Sequence, residues 1–211
     1  MAMYTPMITA AAAIVATVGL GGTALAGHDE VKNDKVAKYT YELEPVQDSS
    51  IPNSQASGWT KITALPNGNV KVQVEASGLA PNLPHLMHLH DVLGPATSEC
   101  PTGTPGDVVT VLDGAPSYGA IQLGLETQLA DAAGTISYSA QFPAETPTAT
   151  DPSVTLGDIA GSAQVVVHGI DFDGNGEYVI NPDDPFAGQT SSIADAPLEL
   201  TAPVLCGGIA N

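Results

Sequence analysis

Three of the five histidines in this chain fall within six positions, in Pro84-His85-Leu86-Met87-His88-Leu89-His90-Asp91. On a β-strand residues i and i+2 share a face, so His88 and His90 can turn their imidazoles toward one ion. His85 belongs to the opposite face if the strand runs straight. Neutral imidazole binds d-block cations, and a site made of imidazoles alone suits copper or zinc. His168 closes the apolar run Ala163-Gln164-Val165-Val166-Val167 and can join the pair only if its strand lies opposite theirs. For each of these residues the competing reading is a structural histidine satisfied by hydrogen bonds.

Directly after His168 the chain reads Asp171-x-Asp173-x-Asn175-Gly176-Glu177. That is the opening of a calcium-binding loop, where alternate side chains turn oxygen ligands inward and the glycine permits a sharp bend. Position twelve is Pro182 instead of glutamate, but Asp183 and Asp184 follow. The candidate calcium ligands are therefore Asp171, Asp173, Asn175, Glu177 and Asp183, with a solvated Asp/Gly turn as the alternative. Nucleophile elbows, H-E-x-x-H zinc motifs, P-loops and dinucleotide glycine fingerprints are absent from the sequence. No residue is assigned a catalytic role on these grounds.

The elements that must carry these side chains read as strands. Tyr39, Tyr41 and Leu43 alternate with polar residues, and Trp59, Ile62 and Leu65 lead into the turn signal Pro66-Asn67-Gly68-Asn69. Val70, Val72 and Val74 then alternate with Lys71, Gln73 and Glu75, a period of two with one wet face. Further strands are expected over 86–92, 108–112, 120–126, 135–142 and 163–170, with long connections over 143–162 and 171–203. No segment beyond the apolar N-terminus shows a helical apolar period. Short strands at this spacing, without intervening helices, predict an all-β antiparallel sandwich or flattened barrel.

The formal net charge is −18, arginine is absent, and all five basic residues are lysines at or before Lys71. Such a field repels phosphate backbones and excludes a nucleic-acid partner, while it attracts metal cations. Residues 7–26 are apolar, uncharged and end in Ala24-Leu25-Ala26. This predicts an export signal over 1–26, a flexible lead-in over 27–37 and one domain over 38–211, with a retained anchor as the alternative. After cleavage no membrane segment remains, and the protein is expected outside the cell or in its envelope. In an exported chain the lone pair Cys100 and Cys206 suggests a disulfide; buried free thiols or cysteine–histidine metal ligation are the other readings.

The stretch Gly78-Leu79-Ala80-Pro81-Asn82-Leu83-Pro84-His85-Leu86-Met87-His88-Leu89-His90 resembles the segment of Cu/Zn superoxide dismutases that carries two copper histidines. Val165-Val166-Val167-His168 resembles the strand bearing another, and Cys100 with Leu205-Cys206-Gly207-Gly208 resembles the family's disulfide partners. The resemblance implies a Greek-key β-sandwich and a copper site at His88, His90 and His168, with His85 structural. Residues 101–167 contain no histidine, so the family's bridging ligand and zinc ligands are missing and zinc is not expected. No arginine is available to guide superoxide. A nearer resemblance is to the CHRD family, secreted sandwich domains related to the dismutases. It rests on the H-x-x-H-x-H segment followed by Glu99-Cys100-Pro101, on Gly114–Gly119, and on Val167–Gly176.

These observations together predict a secreted, acidic, metal-binding sandwich with a degenerate dismutase-type copper site. Two alternatives stand beside it: a copper-only dismutase or related redox enzyme, and a structural or adhesive extracellular domain. Calcium is the second expected cation, and nothing in the sequence specifies an oligomeric state.

Overall fold

Alternation builds the first half of the sheet. On β3 (Asn69–Ser77) Val70, Val72 and Val74 are fully buried and Ala76 nearly so, while Lys71, Gln73 and Glu75 lie toward solvent. Burying each valine contributes about 1.5–3 kcal/mol. In the computed structural model, which describes residues 36–191 and 193–208, β3 pairs with β2 (Ser57–Ala64) and with β8 (Ile136–Pro143). β1 (Lys38–Pro45) covers the other side of β2. The expected export signal, and nearly all of the lead-in, lie outside the described residues.

The second half contains β5 (Met87–Asp91), β6 (Ala120–Gly124), β9 (Gln164–His168) and β10 (Pro203–Gly207). The strand order across the whole eight-stranded sheet is β6-β5-β9-β10-β1-β2-β3-β8, and every pairing is antiparallel. A separate ribbon pairs β4 (Pro84–His85) with β7 (Gln128–Leu129). The halves join in the sheet where Glu44 and Pro45 of β1 meet Cys206 and Leu205 of β10, extended by the Val46 amide donating to the Val204 carbonyl. Val70, Val72 and Ile62 of one half nevertheless share a single core with Met87, Leu89, Val165, Val167 and Leu205 of the other. The sheet is therefore curled around one interior, the antiparallel all-β architecture expected.

Three short helices depart from the strand-only expectation. The segment 108–112 is not a strand; α1 (Val111–Tyr118) begins inside it. Thr110 accepts from the Asp113 amide while the Asp113 carboxylate accepts from the Thr110 amide, a capping box that satisfies amides which would otherwise lack partners. The same T-x-x-D pattern starts α2 (Leu156–Ile159) at Thr155 and Asp158, inside the expected 143–162 connection. α3 (Leu198–Thr201) ends the long 171–203 connection and delivers the chain to β10. β10 itself does not alternate, because all five of its residues are buried.

Candidate metal centre

β5 sorts its side chains by parity. Met87 and Leu89 enter the core, so His88 and His90 lie on the opposite face of the sheet. β9 pairs with β5 in the register His88↔Val166 and His90↔Gln164. His168, two residues beyond Val166, therefore rises on the same face beside His88. Ring centroids are 5.6 Å apart for His88–His90, 5.2 Å for His88–His168 and 6.1 Å for His90–His168. One ring nitrogen of each lies within 4.8 Å of the others. A bulge in the β5/β6 register between Leu89 and His90 adds twist at this point.

Two of the three rings have their tautomer set by backbone carbonyls. His90 Nδ1 lies 3.0 Å from the Gly119 carbonyl and His168 Nδ1 lies 2.7 Å from the Thr201 carbonyl. A carbonyl only accepts, so each Nδ1 carries the proton and each Nε2 presents a lone pair. Those two Nε2 atoms, together with His88 Nδ1, are buried and have no hydrogen-bond partner among the described residues. Buried polar atoms are nearly always satisfied, so orphaned nitrogens on three clustered rings are the arrangement that a shared cation would complete. The residues present thus fit a d-block cation.

Burial keeps these rings neutral. Desolvation lowers His90 to about 4 against the pull of the Gly119 bond, and lowers His168 to about 3 with the nearby His88 adding to it. His88, half-buried, is lowered by desolvation as well. At pH 7 no proton has to leave before a cation binds.

The outer face is roofed by the segment that connects β5 to β6. Tyr118, fully buried, stacks edge-on against His90 with centroids 4.5 Å apart and packs with Val46, Val166 and Cys206. Cys100 is disulfide-bonded to Cys206, which pins this roof to β10 and closes the free-thiol and metal-ligand readings of that pair. Gly119 sits at φ 85°, and a Cβ there would lie 2.2–2.4 Å from backbone atoms of Asp91 and Val92. Gly119→Ala is therefore expected to cost about 3 kcal/mol, from a backbone region nearly restricted to glycine plus overpacking. A urea-unfolding comparison with wild type checks this.

His85 lies apart from the cluster. It is fully buried, with Nδ1 3.0 Å from the His168 carbonyl and Nε2 3.1 Å from that of Ala80. It braces the backbone of His168 instead of joining the ligand set.

The acidic loop is organised differently from a simple reading of its motif. The Asp171 carboxylate accepts from the Asn175 and Gly176 amides, and that of Asp173 accepts from the amides of Asn175 and Asn181. Asn175 Oδ1 accepts from the Glu177 amide. Asp171 and Asp173 come together with Glu199 of α3, their carboxylate oxygens within 4.8 Å of one another, whereas Asn175, Glu177 and Asp183 are solvent-exposed. The motif could not point to Glu199, because it arrives from 22 residues beyond Glu177 on a separate element. Tyr118 and the Gly119 and Thr201 carbonyls were equally invisible; only the T-x-x-D signal at Thr110 announced the helix that carries the tyrosine.

No family model and no curated protein matches the chain. Among solved structures, a mutant of superoxide dismutase 5 from Candida albicans superposes on 62% of this chain and 82% of that chain at 18% identity, with a TM-score of 0.30.

Proposed function

We propose that this is an exported metal-binding β-sandwich protein that holds one copper ion at His88, His90 and His168. The observation carrying this reading is the convergence of three buried imidazole nitrogens that have no hydrogen-bond partner. An all-imidazole set favours copper or zinc, and the sequence resemblance to the dismutase copper strands, together with the missing zinc ligands, favours copper. Copper bound there supplies a one-electron couple between its two oxidation states. The Gly119 and Thr201 carbonyls hold the Nδ1 protons of His90 and His168 and so aim both Nε2 atoms at a common point. Tyr118 covers one side of His90, and His88 is the least buried of the three residues. Export is supported by the N-terminal apolar run ending in Ala24-Leu25-Ala26 and by the Cys100–Cys206 disulfide. The H-x-x-H-x-H, Gly114–Gly119 and Val167–Gly176 phrases support placing the chain near the CHRD group.

The partial exposure of His88, the ring of the three nearest solvent, favours a second reading, a copper-only dismutase. The charge of −18 and the lack of arginine weigh against it. Wild type is expected to bind one copper per chain, and His88→Ala and His168→Ala to weaken binding at least about 100-fold. Elemental analysis and competition titration read this out. Because His88 is only half-buried, His88→Ala should fold normally, and full copper binding by that variant would overturn the site. A superoxide-decay rate on loaded protein no faster than that of free copper would leave binding alone as the function.

A further inference from the structure

A second cluster lies three residues past the histidine site and uses none of its ligands. Asp171 is 6% exposed and Glu199 is completely buried, with Asp173 partly buried beside them. Glu199 ties α3 to the loop twice: its carbonyl accepts from the Ile170 amide at 2.8 Å and its Oε1 accepts from the Phe172 amide at 2.8 Å. Its Oε2 is buried and has no hydrogen-bond partner among the described residues. Three carboxylates within 4.8 Å repel one another, and no lysine is among the groups that act on Glu199. A buried carboxylate needs either a positive partner or a proton. Burial first, then Asp173, Asp171 and Asp184, push Glu199 up to about 7. The environment thus asks for positive charge.

We propose that Asp171, Asp173 and Glu199 bind a calcium ion between the loop that follows β9 and α3. Carboxylate oxygens without imidazole or thiolate select a hard cation. Oxygens within 4.8 Å of one another can share an ion bonded at about 2.3–2.6 Å, the calcium distance. Cavities border the cluster on two sides: one of about 370 Å³ is lined by Asn53, Leu79, Pro81 and Asp171, and one of about 250 Å³ by Tyr178, Pro197 and Glu199. The Asp171-x-Asp173 spacing belongs to a calcium loop, but the closing ligand is Glu199 in place of Glu177 or Asp183. The ion would join the loop to the element whose Thr201 carbonyl orients His168.

The test is thermal unfolding and calorimetric titration of the full chain, stripped with chelator and titrated with calcium chloride at neutral pH. Calcium about a hundredfold above its dissociation constant should raise the melting temperature of wild type by about 5–10 °C. Glu199→Gln and Asp173→Asn should lose that shift, while Glu177→Gln, Asp183→Asn and His88→Ala should keep it. Retention in His88→Ala separates this site from the copper reading, so either can fail alone. A wild type with neither shift nor binding heat overturns the proposal whatever the variants do. So does a shift that survives Glu199→Gln, which would place the ion elsewhere on the acidic surface. A Glu199→Gln protein more stable than a calcium-indifferent wild type would mean that a proton, not a metal, satisfies the cluster.

Discussion

Acidification of the metal-free protein should unfold it well before its exposed carboxylates are all protonated. In the folded chain His90 and His168 stay neutral down to about 4 and about 3, because both are buried. In the unfolded chain an imidazole titrates near 6.5. Between those values the unfolded state binds more protons, so falling pH favours it. The stability these two histidines lend is complete above about pH 6.5 and drains as the pH falls toward 4 and 3. Each contributes a slope of about 1.4 kcal/mol per pH unit. Glu199 acts oppositely: its folded value of about 7 lies above the ordinary 4.5, so it regains stability as the pH drops through that interval. Down to about pH 4.5 one histidine's worth of loss is therefore offset, and below that the decline steepens. Asp48, Asp113, Asp151, Asp158 and Asp173, each lowered chiefly by hydrogen bonds, add to the late loss. Urea midpoints measured across about pH 4–8 read the curve, and Glu199→Gln should make its upper part steeper. A flat profile from pH 6.5 to 4.5 in that variant would show that the rings are not buried neutral.

Reduction of the Cys100–Cys206 bond should lower stability by about 4–5 kcal/mol in the chain-entropy account, because the bond closes a loop of sequence separation 106. For a domain of this size that is a fall of about 10–20 °C in melting temperature, a large part of a typical folding free energy. The loss should reach the histidine site as well. The roof carrying Tyr118 and Gly119 is otherwise tethered by a small number of polar contacts. They include the Gln164 side-chain amide to the Ser98 carbonyl, Gly103 N–H to the Val46 carbonyl, and the exchange between the Gln47 side chain and the Val109 backbone. Freed from β10, this segment holds the Gly119 carbonyl less firmly against His90, and copper affinity should fall with it. A Cys100→Ser, Cys206→Ser protein assayed below its own melting temperature separates weakened binding from unfolding. Unchanged affinity there would mean that the roof needs no staple to seat His90.

The strands that the sequence shows best are those with one wet face. Val70, Val72 and Val74 alternate with polar residues because only one side of β3 meets the core, so periodicity alone locates them. β10 escapes that test because both its faces are buried. α1 escapes for another reason: eight residues with Pro116 inside show no apolar period, and its start is signalled only by the Thr110–Asp113 pair. The parity of His88 and His90 on a strand was readable in the same way as the valines, and so was the exclusion of His85 from their face.

What the sequence determined by itself is therefore local: the strand pattern, the shared face of His88 and His90, a calcium-loop spacing at Asp171 and Asp173, and a charge with no arginine. All of these depend on neighbours along the chain, where a period of two or a fixed spacing carries the information. Whether His168 meets the pair was decided only by the β5–β9 register, which no local pattern encodes. Glu199 comes to Asp171 and Asp173 because α3 folds back on the loop. The carbonyls of Gly119 and Thr201, which aim two imidazoles, belong to the backbone and have no residue signature at all. Side-chain chemistry is written in the order of residues, but the convergence that makes it a site is a property of long-range pairing and burial.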